Sequence, residues 1–223
     1  MQPAASTADR PALRCPYTGS NRVKLKFIVS FNPPQAVLAA RQSLRRRLLA
    51  EREVFVASPE GAAASDALAA HLRSLLSELA PDCLGVYWPV RSEFNAAALG
   101  VDNDPTQPWS LALPFAHRNP REMHYREWDG EQPCNQDECG IHCAAGKPVI
   151  PDVVLVPCVG FTDEGFRLGY GGGYFDRYLA QHPQVTTVGV AWSLGRLTAE
   201  DYQPEAHDQS LMVIVTEKGV VSA

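Results

Sequence analysis

Between Arg167 and Leu179 the chain reads RLGYGGGYFDRYL, with Gly169 and then Gly171, Gly172 and Gly173 directly ahead of a stretch of helical character. A strand-like run, DVVLVP (152 to 157), precedes it, and Gly165 lies in the connecting loop. A strand, a glycine-rich loop and a helix start offer unpaired N–H groups and the positive end of a helix dipole to an anion, for which phosphate is the natural guest. Side chains there would block the amides or resist the positive φ that such loops need. Arg167 can neutralise phosphate with a bidentate fork, and Asp176 stands where a carboxylate can hold a magnesium ion that bridges phosphate oxygens. A flexible turn, a surface arginine and a helix-start acid that favours the dipole remain the plain alternatives. No Gly-Lys-Ser/Thr follows the glycines, and the glycine spacing and distal acid of a dinucleotide fingerprint are missing, so a nucleotide cradle here is of another kind.

Arg41 and Arg45 stand one helical turn apart, which lets two guanidiniums converge on one anion; taken alone, a solvated charged face describes them better. The stretch GVYWPVRSEFN (85 to 95) leaves a strand through Trp88 and Pro89 and presents Glu93 on a loop. Loops at strand ends grip ligands in open α/β sheets, and a glutamate there accepts two N–H donors from a pterin-like or purine-like ring. A solvated loop glutamate is the equal alternative. Cys134, Cys139, His142 and Cys143 follow C-x4-C-x2-H-C, without the tight C-x2-C pair or second half-site of structural zinc. His207-Asp208 reads as a turn, and no serine, histidine and acid can be nominated as a triad.

These residues need elements to hold them. Val37, Ala40, Leu44 and Leu48 recur at spacings of three and four from Gln35 onward, and Arg41, Arg45 and Arg52 fall on a neighbouring face of the same helix. Ser65 or Asp66 can cap a second helix carrying Leu68, Leu72, Leu75, Leu76 and Leu79, which Pro81 stops. Apolar runs at 84–88, 110–113, 152–156, 186–191 and 211–215 read as strands, and VVLV and VIV are continuously apolar, as in strands buried on both faces. The expected fold is α/β: a three-layer, Rossmann-like, open and largely parallel sheet with helices on both faces, one domain over residues 35–223. Residues 129–150, polar and punctuated by Gly and Pro, read as a loop or lid. Residues 1–34 read as a poorly ordered extension.

The 223 residues suffice to bury a core without disulfide staples. No apolar run approaches the roughly 18 residues of a membrane span. The six cysteines are scattered, and no secretory signal precedes them, so a soluble protein of the reducing cytoplasm is expected. The net charge of −5 divides unevenly: residues 1–50 hold nine Arg or Lys and one acid, a balance of +8 against −13 for the rest. A solvated tail, a transit peptide and a local anion site all fit that basic segment. It lacks the dense basic run with interleaved aromatics of a nucleic-acid arm, so neither nucleic acid nor membrane is expected as a partner.

The segment VPCVGFTDEGFRLGYGGGYFDRYL (156 to 179), followed by VGVAW (188 to 192), HD (207, 208) and VTEKGV (215 to 220), resembles the 5-formyltetrahydrofolate cyclo-ligase family. The likeness extends upstream through RQSLRRRLLAERE (41 to 53), YWPVRSEFN (87 to 95), LALP (111 to 114) and MHYREW (123 to 128), and so covers roughly residues 36–220. The resemblance implies an enzyme dependent on ATP and Mg2+ that converts 5-formyltetrahydrofolate, with or without a polyglutamate tail, into 5,10-methenyltetrahydrofolate, as a monomer or homodimer. It implies that Arg41 and Arg45 bind nucleotide phosphates and that Arg167, Leu168, Gly169, Tyr170, Gly171, Gly172, Gly173, Tyr174 and Phe175 form the ATP loop. Tyr170 through Tyr174 would also face the folate, Asp176 would ligate the metal, and Arg167, Tyr174 and Asp176 would serve the chemistry. Glu93 would grip the pterin between the apolar walls Trp88 and Trp128.

The sequence departs from the family pattern in several places. Arg41 replaces a usual lysine, Phe175 a frequent tyrosine, and Met212 an acid proposed as a second metal contact, while GIHCA (140 to 144) replaces GI-x-EP. A non-catalytic folate- or nucleotide-binding protein on the same fold is the alternative that Phe175 and Met212 raise.

Overall fold

A computed structural model describes residues 35–101 and 109–222; the extension expected over residues 1–34 lies outside the described residues. The first helix, α1 (Gln35–Val56), runs as its periodicity requires, but Val37 and Ala40 stay exposed and its buried side centres on Leu48 and Arg52. The second, α2 (Pro59–Leu79), begins six residues ahead of Ser65. Ser58 caps it, its hydroxyl accepting the Gly61 N–H at 3.2 Å, and Pro59 follows at the first helical position. A cap plus a proline with φ already helical outcompetes the later Ser65 and Asp66. The helix ends where Ala80 turns left-handed (φ 44°) ahead of Pro81. Leu68, Leu72 and Leu76 are buried as expected.

Beyond α2 come β1 (Cys83–Gly85), α3 (Ala96–Val101), β2 (Ser110–Ala116), β3 (Met123–Trp128), β4 (Asn135–Gln136), β5 (His142–Cys143) and β6 (Pro148–Val149). Then follow β7 (Val153–Pro157), β8 (Gly160–Phe161), β9 (Arg167–Leu168), α4 (Tyr174–Gln181), β10 (Thr186–Val190), a 3-10 turn at Ser193–Gly195, β11 (Val213–Thr216) and β12 (Gly219–Ser222). One sheet has the order β12-β11-β10-β7-β1-β2-β3-β6, with β11, β10, β7, β1 and β2 mutually parallel. β12 runs antiparallel to β11 and β3 antiparallel to β2, because the short turns that join them admit only antiparallel neighbours, while the edge strand β6 pairs antiparallel with β3 and so runs with the parallel strands.

The apolar strands are buried on both faces, as their composition demands. Leu84, Leu113, Leu155, Val188 and Val215 pack with α2 and α3 on one side; Ala112, Val154, Val156 and Ile214 pack with Tyr178 and Leu179 of α4 on the other. The expected three layers are therefore present, with the sheet mixed at its edges. The segment 129–150 is more structured than a loop: it contributes a small β4–β5 hairpin and the edge strand β6. The strands β8 and β9, which lie between β7 and the glycine loop, pair with each other outside the main sheet, and the Val159 N–H, two residues past β7, donates to Leu168 O at 2.9 Å just ahead of that loop. Among the described residues no helix is long and apolar enough to cross a membrane.

Candidate active site

Gly171 (φ 92°) and Gly173 (φ 66°) adopt the left-handed backbone that excludes most side chains, and Gly173 opens α4 without any side-chain cap. Two arginines grip the loop by its carbonyls. Arg45 Nε donates to Gly169 O at 2.7 Å, and Arg177 Nη2 donates to Gly172 O, also at 2.7 Å. Among the described residues the N–H groups of Gly171, Gly172 and Gly173 meet no protein acceptor. Amides left free at a helix start, with a guanidinium beside them, are what an anion cradle requires. A Cβ on Gly171 would stand 3.4 Å from the Arg45 guanidinium carbon. Gly171→Ala is expected to weaken nucleotide binding about tenfold, since a left-handed alanine costs about 1–2 kcal/mol. Calorimetric titration with an ATP analogue measures it, and unchanged affinity would remove the loop from the nucleotide site.

Of the helix-one arginines, Arg45 reaches the loop whereas Arg41 is held by acids one turn away. Arg41 Nη2 donates to Gln203 O (2.7 Å) and Asp208 Oδ2 (3.1 Å), its Nε lies 3.4 Å from Glu205, and its guanidinium covers the Tyr202 ring at 4.7 Å. Asp208 is the hub of this group: Tyr202 OH and the Glu205 N–H donate to the same carboxylate at 2.9 and 2.8 Å. Burial opposes its charge, but those donors and Arg41 hold its carboxyl below the ordinary range. Arg45 has no carboxylate partner among the described residues, and burial followed by the nearby Arg41 charge lowers its pKa. A partly buried guanidinium without a carboxylate in direct contact is suited to take an anion. Arg45→Ala is accordingly expected to raise the KM for ATP roughly tenfold or more, the loss of one charged hydrogen bond.

Arg167 and Asp176, expected to act on phosphate and metal separately, are joined. Arg167 Nη2 lies 2.9 Å from Asp176 Oδ1, Nη1 donates to Gln209 O, and the guanidinium sits over the Phe175 ring at 5.9 Å. The Arg167 side chain is 5 % exposed and that of Asp176 20 %. Phe175 thus serves as packing beneath the pair. Among the described residues no three His, Cys, Asp or Glu gather as a metal cage. Asp176, with a second carboxylate oxygen outside the Arg167 contact, fits a magnesium ion that takes most of its ligands from phosphates and water, as Mg2+ commonly does. Met212 is 55 % exposed, its N–H bonded to Thr187 Oγ1. Leu168 is buried against Leu48 and Leu197, so its side chain anchors the loop.

The loop after β1 forms the second half. Glu93 Oε2 accepts the Val90 N–H at 2.7 Å, and burial raises its carboxyl above the ordinary range despite that bond and the Arg52 charge. Tyr170, from the glycine loop, donates to Val90 O at 3.3 Å. Arg52, only 2 % exposed, donates to Tyr170 OH (2.5 Å) and to Ser92 Oγ (3.0 Å), tying α1, the Glu93 loop and the glycine loop together. The sequence placed Arg52 on the right helix face but offered no partner for it. Trp88 meets Trp128 edge-on at 6.3 Å and His142 at 5.5 Å; Trp128 is the buried member of the group, its Nε1 bonded to Glu131 O. Tyr174 turns its hydroxyl to His117 O (3.0 Å) and to Cys139 Sγ (3.2 Å), toward the β2–β3 turn. The segment's polar residues scatter to such roles: His142 bonds Pro133 O, and Cys143 is buried.

The arginine-lined helix, the glycine loop with its free amides and the acceptor-bearing loop after β1 gather beyond the carboxyl ends of parallel strands, where ligands bind in open α/β folds. Residues 37–217 match the model of the 5-formyltetrahydrofolate cyclo-ligase family, and the chain belongs to that family. A curated 5-formyltetrahydrofolate cyclo-ligase from Mycoplasma pneumoniae is 37% identical over 68 residues, 30% of this chain and 40% of that relative. The matched stretch thus spans less than half of the relative's length. The solved structure of a Mycoplasma pneumoniae 5,10-methenyltetrahydrofolate synthetase superposes with TM-score 0.64 at 20% identity, over 79% of this chain and 98% of the other, and shares the fold. The NMR structure of the Aquifex aeolicus 5,10-methenyltetrahydrofolate synthetase does so with TM-score 0.65 at 28% identity, over 82% and 92%.

Proposed function

We propose that the protein converts 5-formyltetrahydrofolate and ATP into 5,10-methenyltetrahydrofolate, ADP and phosphate. The observation that carries the nucleotide half is the set of unpaired amides on Gly171, Gly172 and Gly173 beside Arg45. Glu93 supports the folate half, as a partly buried acceptor of N–H groups on the loop that also carries Trp88. The formyl oxygen takes the γ-phosphoryl group and ADP leaves; N10 then attacks the activated carbon, its proton passes to the departing phosphate or to water, and the C–O bond breaks as phosphate leaves and the methenyl bridge forms. Such a reaction asks the chain for alignment and charge neutralisation rather than for a covalent nucleophile. Gly171 to Gly173 and Arg45 hold phosphate oxygens, Glu93 orients the pterin, and Arg52 keeps the two loops in register. Asp176 would hold a magnesium ion, which supplies further neutralisation of phosphate charge. Incubation with ATP, magnesium and 5-formyltetrahydrofolate is expected to produce the near-UV absorbance of the methenyl product. Folded protein that binds ATP yet yields no product would favour a non-catalytic binding protein, the reading raised by Met212 and Phe175.

A further inference from the structure

Side chains on one face of a strand recur every second residue, so Trp128, Arg126 and His124 of β3 share a face, and β2 sets Phe115 directly opposite His124. The Arg126 guanidinium lies 4.0 Å over the Phe115 ring. His124 stacks on Phe115 (5.5 Å, 28°) and on His117 (5.3 Å, 27°). Arg126 Nε donates to His124 Nε2 at 3.0 Å, which requires that nitrogen to be unprotonated. Burial, then the charges of Arg126 and His117, lower the His124 pKa and so favour that state. Arg126 has no carboxylate partner among the described residues, and its two terminal nitrogens meet no protein acceptor there. A guanidinium held over an aromatic ring by its carbon and bonded through Nε keeps its two terminal nitrogens as a preorganised fork for a carboxylate.

The strip has ends that matter. At one end Trp128 meets Trp88, two residues before Val90, whose N–H Glu93 accepts; at the other, the hydroxyl of Tyr174, the first residue of α4, donates to His117 O. An extended ligand with its pterin at Glu93 would pass Trp88 and arrive at Arg126. Resting on the folate reading, we propose that Arg126, with Phe115 and His124, forms the subsite for the benzoylglutamate arm of the substrate, taking a glutamate carboxylate on its free edge. The arm carries an aryl ring followed by carboxylates, the same order in which the strip offers aromatic walls and then a cation.

Equilibrium binding by tryptophan fluorescence tests this with 5-formyltetrahydrofolate and its analogue in which both glutamate carboxylates are amidated. The wild type is expected to prefer the acid about tenfold or more, the worth of one charge-assisted bond. Arg126→Met is expected to bind both alike, at the affinity the wild type shows for the diamide, with ATP affinity unchanged; Arg126→Gln, which keeps a polar stem, is expected to do the same and serves if the first variant fails to fold. A wild type without preference, a variant that keeps the full preference, or a loss in ATP affinity instead, would overturn the assignment. The methenyl assay on the wild type separates the two ideas: no product with the binding preference intact would sink the cyclo-ligase reading and leave the subsite standing.

Discussion

Asp176→Ala is expected to lower turnover at least a hundredfold, the scale on which removal of one group that stabilises developing charge is felt. It is also expected to lower stability, because Arg167, 5 % exposed, loses the carboxylate at 2.9 Å. Breaking a buried pair from one side costs about 3 kcal/mol, since an uncompensated charge is left behind. The two losses separate in the double variant Arg167→Met with Asp176→Ala, which removes both charges and should recover most of the melting temperature. Turnover should stay lost. If the double variant regains activity along with stability, Asp176 has only a structural part and the metal must be held elsewhere.

Glu93→Gln is expected to separate stability from function in the opposite sense. Burial raises the Glu93 carboxyl above its ordinary range, so the folded chain binds that proton more readily than the unfolded chain. Stability from this group therefore rises as pH falls from the raised folded value through the unfolded one, and is lowest above both. A neutral glutamine escapes the penalty. The variant should melt higher than wild type at about pH 8, with the gain vanishing toward about pH 4, near the ordinary carboxylate range. Its KM for the folate should nevertheless rise roughly tenfold to a hundredfold, because a charged acceptor for ring N–H donors is gone. Thermal melts at both pH values and steady-state kinetics measure the pair of effects. Lower stability at the higher pH would show that the Val90 bond outweighs desolvation, and an unchanged KM would remove Glu93 from the pterin site.

Local patterns announced themselves where one residue type has few uses. The glycines at 171–173 were legible as a loop that needs left-handed backbone, and Gly171 and Gly173 do have positive φ. The leucines of α2 were legible because helical periodicity leaves Leu68, Leu72 and Leu76 on one side. The start of α2 was misplaced because three residues in the stretch can cap a helix, and only Ser58 is followed by the proline that makes the choice. The strand β3 and the hairpins at 135–143 and 160–168 were missed, since two-residue pairings and mixed sequences such as MHYREW carry no periodic signal.

What the amino-acid sequence by itself determined was the residues available and their order: a glycine-rich loop ahead of a helix, arginines on one helix, a glutamate on a loop, and apolar strands that must be covered on both faces. These follow from local backbone preference and from burial, which each short segment expresses alone. Only the tertiary structure decided who pairs with whom. It placed Arg45 on Gly169 but Arg41 on Asp208, joined Arg167 to Asp176, gave the buried Arg52 its two loops, and laid Arg126 on Phe115. The physical reason is that a buried charge is stable only with partners, and the partners of these arginines lie up to 167 residues away in the chain, where no local pattern reaches.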